Sequence, residues 1–291
     1  IGTSIEGRDI LAVKLSDMGV ADYWEHVDQY VRNHLTELQI RDLDLLKAAI
    51  EKMPPLDPSD PQVQTTDRVA ERNLGAFFDD ASHPTLVAGP NFMWVICGNG
   101  NIPIGIYHAW ESIVRCTDGV AQVNLLLNRA SPWLDLDSYL PYEGKVVITS
   151  KEARKLSVRI PAWVDKRSVK SRINGRKAAP FWLGRNLVFD SVKRQDRITI
   201  EFPMVEATET YTVKWKHDAF WMESNWATNT WQPQEQPDRF TCRFRGNTLV
   251  DIAPRAAGAG YPLYLRNSYQ KGHAPLKRVT RFTGSMPGRG G

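Results

Sequence analysis

The stretch KVVITSKEARKLSVRIPAWVDKRSVKSRING, residues 145–175, decides the fold. Its apolar residues tend to alternate with polar ones, and the same alternation returns in NLVFDS (186–191) and RITIEFP (197–203). Successive side chains of a β-strand point to opposite faces, so this period of two predicts half-buried strands. The pair Asn174-Gly175 predicts a tight hairpin between two of them. Short strands separated by such turns are typical of a β-sandwich.

The residues upstream of Asp118 follow the period of an α-helix instead. Their apolar side chains recur at steps of three and four residues. Pro54 ends the longest of these patterns, because proline has no backbone N–H to continue a helix. Three amphipathic helices are predicted, over residues 9–18, over residues 22–52 and from about Pro103 to Arg115.

The change of period near residue 118 divides the chain into domains. Residues 1–118 are predicted to be helical, and residues 119–205 to form a β-sandwich. Residues 206–291 are predicted to be a second β-sandwich-like module with a disordered tail. Its strands are less regular and are expected in TYTVKW (210–215), FTCRFRG (240–246), TLVDIAP (248–254) and YPLYLR (261–266).

The composition argues against two classes of protein. The 291 residues carry 37 Lys and Arg against 33 Asp and Glu, without a long block of one sign, which disfavours nucleic-acid binding. No run of about 18 apolar residues occurs, so we expect a soluble chain that does not span a membrane. The compartment stays open, with the periplasm and the extracellular space as candidates. A homo-oligomer is also an open alternative.

The three cysteines, Cys97, Cys116 and Cys242, are odd in number and far apart, which argues against a disulfide framework. Cys116 is expected at a helix end and Cys242 in a strand, both with structural roles. Cys97 precedes a Gly-rich turn and a predicted helix, where free backbone N–H groups stabilise a thiolate. Cys97 is therefore either a nucleophile or a small buried apolar residue.

Several motifs taken together resemble one family of enzymes. They are DYWEHVDQYVRNHL (22–35), CGNGNIPIGIYHAWE (97–111), VNLLLNRASPWLDLDSYLPYEG (123–144), LSVRIPAWV (156–164), FRGNTLVDIAPR (244–255) and GYPLYLR (260–266). Along essentially its whole length the chain resembles the β-L-arabinofuranosidases of glycoside hydrolase family 127. The resemblance implies an α+β multidomain fold, the end of an (α/α)6 helical barrel followed by two β-sandwich modules.

The resemblance also implies an activity and its residues. Family members are retaining glycoside hydrolases of L-arabinofuranosides, so the expected partner is a carbohydrate substrate. Their nucleophile is the first Cys of a Cys-Cys pair, bound to zinc, and it falls on Cys97, which makes Cys97 a zinc ligand as well. Asn101 falls on a family Asn and is a candidate for substrate binding. Asp80, in the loop before Cys97, is a candidate for lining the sugar site or a turn-forming residue.

Two departures from the family pattern bear on the zinc site. The second Cys of the pair falls on Gly98, which has no side chain to ligate a metal. The Glu-x-Cys ligand motif falls near Ile1–Ser4, where neither residue type occurs, and the acid/base Glu falls before Ile1. The alternative is therefore a relative without catalysis, which binds carbohydrate or serves as a structural support.

Overall fold

The structure is a computed structural model that describes residues 22–53, 67–78, 84–87, 98–212, 239–257 and 260–276, and the single residues 55, 57, 59 and 65. The predicted helix over residues 9–18 and the predicted disordered tail lie outside the described residues. The described part is α+β, with few helices and several sheets. Its α-helices are α1 (Trp24–Tyr30), α2 (Leu43–Ile50), α3 (Val69–Asn73) and α4 (Gly98–Ser112).

The β-strands follow α3 along the chain, and most of them follow α4. They are β1 (Leu86–Val87), β2 (Val114–Thr117), β3 (Val120–Val123), β4 (Arg129–Ala130), β5 (Leu134–Ser138), β6 (Lys145–Ser150), β7 (Lys155–Arg159), β8 (Lys170–Ile173), β9 (Arg176–Lys177), β10 (Phe181–Leu183), β11 (Asn186–Phe189), β12 (Arg197–Glu201), β13 (Glu206–Thr212), β14 (Arg239–Arg245), β15 (Thr248–Ala253) and β16 (Tyr261–Pro262). None of the described helices is both long and apolar enough to cross a membrane.

The chain divides into two compact units, each assembled from separate segments. The first unit contains Ile1–Val31, Ile104–Val205 and Ser268–Gly291, and the second contains Arg32–Pro103 and Glu206–Asn267. Residues far apart in sequence therefore share one core in each unit. The domain boundaries expected from the change of period stay a prediction.

The first unit contains two sheets. One has the strand order β10-β11-β7-β3-β2 and the other β4-β5-β6-β12-β8-β9. Pairing is antiparallel except between β3 and β7. Ile198 and Ile200 of β12 are fully buried while the residue between them is not, as the period of two predicts. Asn174 and Gly175 both have positive φ, which confirms the predicted hairpin turn. The β-sandwich interpretation of the two sheets stays a prediction.

The second unit contains a three-stranded sheet, β13-β14-β15, and the short pair β1-β16. Helix α2 packs against α3 and β16. Phe240 and Cys242 of β14 and Leu249 and Ile252 of β15 form a buried apolar cluster. A β-bulge lies between Arg243 and Phe244. The strand expected in residues 261–266 is present only as Tyr261–Pro262.

The single helix predicted over residues 22–52 is wrong, because the helix breaks in the middle. A π-helical turn, Val31–Leu35, follows α1, and a further turn leads to an isolated antiparallel bridge between Gln39 and Phe77. Ile40 N–H donates to Ala76 O at 2.9 Å, and Phe78 N–H donates to Leu38 O at 2.9 Å. Leu38 and Ile40 are thereby buried by pairing with a distant segment, which the helical period does not reveal.

The last predicted helix is displaced from its expected bounds. Helix α4 begins at Gly98 rather than near Pro103 and ends at Ser112, so Cys116 lies in β2 and not at a helix end. Strand β3 ends at Val123, so most of the stretch VNLLLN (123–128) lies outside it. Asn124 leaves the strand pattern because its Nδ2 donates to Ser112 O at 2.9 Å and its N–H to Ile113 O at 2.9 Å.

Candidate functional site

The side chain of Asn99 holds the first turn of α4 in place through two hydrogen bonds to the backbone of Phe77. Phe77 N–H donates to Asn99 Oδ1 at 2.8 Å, and Asn99 Nδ2 donates to Phe77 O at 3.2 Å. A carboxamide that pairs with both backbone groups of one residue fixes position and orientation together. Gly98, the first residue of the helix, is buried. The first turn is therefore a rigid platform immediately after Cys97.

The predicted site residues fall into two groups. Asn101 is described, and it lies half-buried in the same first turn as Asn99. Cys97 and Asp80 lie outside the described residues, so their predicted roles stay predictions. The sequence predicts a role for Asn101 but carries no signal for the fixing role of Asn99, since nothing marks its partner Phe77, 22 residues upstream.

The described residues do not fit a zinc centre. In the described ranges no group of three or more His, Cys, Asp or Glu side chains could hold a metal ion. Gly98 offers no ligand at the position of the second family Cys. Cys116 belongs to the first unit and Cys242 to the second, and burial raises the pKa of both thiols, which opposes the thiolate that zinc requires. The zinc prediction thus depends on Cys97 and other residues outside the described ranges.

The motif LSVRIPAWV contains a buried arginine of the first unit. Arg159 is 7% exposed and donates from Nη2 to Glu25 Oε2 at 2.8 Å. The same carboxylate oxygen accepts from Ala162 N–H at 3.0 Å. Glu25 lies in α1, within the motif DYWEHVDQYVRNHL. Its carboxylate therefore links α1 to Arg159 of β7 and to the turn after β7, both within the motif LSVRIPAWV.

The motif GYPLYLR contains the corresponding arginine of the second unit. Arg266 is 5% and Glu37 is 7% exposed, and Arg266 donates to Glu37 Oε2 from Nε at 2.9 Å and from Nη2 at 2.6 Å. Its remaining donors reach Asn33 Oδ1 at 3.1 Å, Leu249 O at 2.9 Å and Arg32 O at 2.9 Å. Every nitrogen of the guanidinium thus donates a hydrogen bond within the protein, so Arg266 has a structural role.

A partly buried tyrosine borders the same ion pair. Tyr264 Oη donates to Asn33 O at 2.8 Å, and Tyr264 N–H donates to the second carboxylate oxygen of Glu37. Burial raises the pKa of Tyr264 to about 12, with the charge of Arg266 lowering it and that of Glu37 raising it. The phenol is therefore held in its neutral, hydrogen-bonding form.

Comparison with known proteins gives the following likenesses. No model of a protein family and no curated protein matches this sequence. Among solved structures, a family 127 β-L-arabinofuranosidase from Geobacillus stearothermophilus is 15% identical with a TM-score of 0.35, covering 65% of this chain and 27% of that one. A second family 127 β-arabinofuranosidase is 12% identical with a TM-score of 0.34, covering 56% and 26%.

A third solved structure, described as a glycoside hydrolase, is 16% identical with a TM-score of 0.47, covering 84% of this chain and 36% of that one. All three structural neighbours are thus glycoside hydrolases. The present chain spans between 26% and 36% of their length.

Proposed function

We propose that this chain is part of a retaining glycoside hydrolase of L-arabinofuranosides or related sugars, with Cys97 as the nucleophile. The observation that carries the proposal is the first turn of α4, which begins directly after Cys97 and is fixed by the two hydrogen bonds between Asn99 and Phe77. The first N–H groups of an α-helix lack intrahelical partners and favour negative charge. A thiol next to them ionises more readily, as a nucleophile at neutral pH requires.

The chemistry of such a site proceeds in two displacements. The thiolate sulfur attacks the anomeric carbon, the S–C bond forms, and the glycosidic C–O bond breaks as an acid gives a proton to the leaving oxygen. A water then attacks the same carbon, loses a proton to the conjugate base, and restores the thiolate. Two inversions retain the configuration. We assign only the nucleophile to this chain, with Asn101 and Asp80 as candidates for holding the sugar.

Zinc, the (α/α)6 barrel and the β-sandwich modules belong to the same proposal. Zinc bound to Cys97 would supply further stabilisation of the thiolate, provided that residues outside the described ranges complete its ligand set. Helices α1 to α4 would correspond to the end of the barrel, and the two sheets of the first unit to a sandwich.

The proposal is tested by hydrolysis of a p-nitrophenyl L-arabinofuranoside by the wild-type protein, Cys97→Ser and the control Cys116→Ser. We expect turnover by the wild type and Cys116→Ser and none by Cys97→Ser. In parallel, iodoacetamide at pH 7 should alkylate one thiol rapidly in the wild type and in Cys116→Ser but not in Cys97→Ser. Wild-type protein that neither hydrolyses the substrate nor has a rapidly reacting thiol would contradict the proposal.

A second candidate function is carbohydrate binding without catalysis. It is favoured by Gly98, which stands where the family has its second zinc-binding Cys. This candidate predicts sugar binding without turnover, the same binding by Cys97→Ser, and no zinc in the purified protein by elemental analysis. Turnover by the wild type that is lost in Cys97→Ser would exclude it.

A further inference from the structure

Strand β10 lies at one edge of a sheet in the first unit, and its apolar side chains are exposed. Within the described residues, the strand order of this sheet ends at β10, whose one neighbour is β11. Phe181 is 53% and Leu183 is 66% exposed, and both point to the same face because side chains alternate along a strand. No charged residue occurs from Ala178 to Gly184. Charged side chains commonly protect an edge strand against pairing with another chain, and β10 lacks them.

The backbone of Trp182 faces the open edge. Ile160 N–H, just after β7, donates to Arg185 O, just before β11, at 2.9 Å. Because bonding sides alternate along a strand, Leu187 of β11 also bonds to β7 and not to β10. Trp182 lies opposite Leu187, so its N–H and C=O both point away from β11. In the part of the chain that the structure describes, neither group has a hydrogen-bond partner.

The residues two positions before and after Trp182 add one acceptor and one donor to this edge. Gly184 N–H points to the edge, because its planar peptide directs it opposite to the preceding carbonyl, which faces β11 across the hairpin. Gly184 O already accepts from Lys166 Nζ at 2.6 Å. Pro180 has a C=O to offer but no N–H. The edge therefore offers an acceptor at Pro180, both groups at Trp182 and a donor at Gly184.

These groups are complementary to those of a second β10 that runs in the opposite direction. With a two-fold axis at Trp182, the two Trp182 residues exchange a pair of hydrogen bonds, and Gly184 N–H of each chain donates to Pro180 O of the other. The N–H that proline lacks would lie opposite Gly184 O, which Lys166 already occupies. A strand of another protein would bring both an N–H and a C=O to these positions and leave some of them unpaired. The edge thus favours a second copy of this chain.

The same register brings the exposed apolar side chains together. Phe181 of one chain lies directly opposite Leu183 of the other, and the two-fold axis repeats this contact. Both contacts lie on one face of the joined sheet. An aromatic side chain directly opposite an aliphatic one stabilises an antiparallel pair, and the contact removes apolar surface from water.

We propose that the chain forms a two-fold symmetric dimer through antiparallel pairing of β10 with β10 of a second copy, centred on Trp182. This pairing joins the two five-stranded sheets into one continuous sheet. The paired strand is short and its interface small, so the dimer dissociates on dilution. The inference concerns assembly and does not depend on the proposed function.

The test is sedimentation equilibrium of the full chain over a wide range of concentration, with a reducing agent present so that the thiols do not cross-link. We expect the average mass of the wild type to rise with concentration from that of one chain towards that of two. Phe181→Lys and Leu183→Glu each place a charge against an apolar side chain of the second copy, twice in each dimer. Each should weaken dimerisation at least roughly tenfold, which corresponds to about 1.4 kcal/mol.

A mixture of the two variants tests the register. In a heterodimer of Phe181→Lys with Leu183→Glu, the introduced lysine lies opposite the introduced glutamate, and the other contact keeps its original Phe and Leu. We therefore expect the mixture to dimerise more strongly than either variant alone, and salt to weaken this gain. The matched control is Leu265→Lys, which adds the same charge at a leucine of the second unit that is 54% exposed. It should dimerise as the wild type does.

Circular dichroism of each variant verifies that the fold is intact. A wild type that stays monomeric at every concentration would overturn the inference, and so would a dimer that Phe181→Lys leaves unchanged. Loss of dimerisation in both variants without recovery in their mixture would exclude the antiparallel register on which the inference depends.

Discussion

Arg266 and Glu37 form a buried ion pair although 229 residues separate them in the sequence. The carboxylate accepts two of the arginine's hydrogen bonds on one oxygen and the backbone N–H of Tyr264 on the other. Two buried charges are tolerated in an apolar interior only when each is paired and hydrogen-bonded. The pair therefore joins the segment after α1 to the end of the second unit.

Replacement of Arg266 by Met is expected to destabilise the protein severely. Among the described residues, it leaves the buried Glu37 carboxylate with only Arg41, 3.8 Å away, as a cation, and loss of the closer partner of a buried pair costs about 3–5 kcal/mol of unfolding free energy. The matched control is Arg172→Met, which breaks the ion pair with Glu201 between side chains that are 44% and 37% exposed. Such an exposed pair contributes about 0–1 kcal/mol. Urea denaturation measures both, and equal losses would contradict the role given to Arg266.

Alkaline pH is expected to destabilise the second unit through Tyr264. Its pKa is raised by burial from the ordinary value of 10.0 to about 12. The folded state then holds the proton more tightly, so the stabilisation is present below pH 10 and is lost as the pH rises from about 10 to 12. The melting temperature followed over this range should fall less steeply in Tyr264→Phe than in wild type.

Tyr264→Phe is also expected to lower the free energy of unfolding at neutral pH, so the comparison requires a control variant. Tyr264→Phe loses the hydrogen bond to Asn33 O, and we expect it to be about 1 kcal/mol less stable at pH 7. Tyr107→Phe, which removes a phenol that is 55% exposed, is the control for the measurement. A pH dependence in Tyr264→Phe that matches the wild type would show that another group causes the alkaline loss.

Gly144→Ala is expected to destabilise the first unit through a backbone clash. An added Cβ would lie 1.9 Å from Phe202 O, and Gly144 O already accepts a hydrogen bond from Phe202 N–H at 2.8 Å. Overpacking of this kind costs about 1–3 kcal/mol. At Gly100, in α4, no atom lies within 4 Å of an added Cβ, so Gly100→Ala should be neutral or stabilising. Thermal unfolding of both variants gives the comparison.

The two described cysteines are expected to react slowly with thiol reagents at pH 7. Burial raises the pKa of Cys116 and of Cys242, so little thiolate is present at neutral pH. Cys242 is buried in the core of the second unit and should react only after unfolding, whereas Cys116 is half-buried and should react slowly in the native protein. Labelling with dithiobis-nitrobenzoate in the Cys97→Ser background, with and without urea, measures both rates. Rapid native labelling of Cys242 would contradict its burial.

Local sequence signals predicted much of the first unit. The alternation in RITIEFP corresponds to β12 and the apolar run in KVVITS to β6. Asn174-Gly175 predicted the hairpin between β8 and β9, because the positive φ of a turn is a local property. Of the predicted site residues, only Asn101 lies among the described residues, and its role in substrate binding stays a prediction.

The sequence predictions that were wrong or missing concern contacts between residues far apart in the chain. Residues 22–52 have a helical period, yet the helix stops and Gln39 pairs with Phe77, because this pairing provides hydrogen bonds to Ala76 and Phe78 and buries Leu38 and Ile40. The ion pair between Arg266 and Glu37 has no local signal either, since neither residue differs in sequence context from an exposed charge.

By itself the sequence determined the alternation that places Ile198 and Ile200 in a core and the turn at Asn174-Gly175, since each follows from local properties of the backbone. Only the tertiary structure decided which side chains meet. Arg159 donates a hydrogen bond to Glu25, Asn99 pairs with the backbone of Phe77, and the guanidinium of Arg129 lies over the ring of Trp110. These contacts depend on the tertiary structure, because separation along the chain does not determine distance in space.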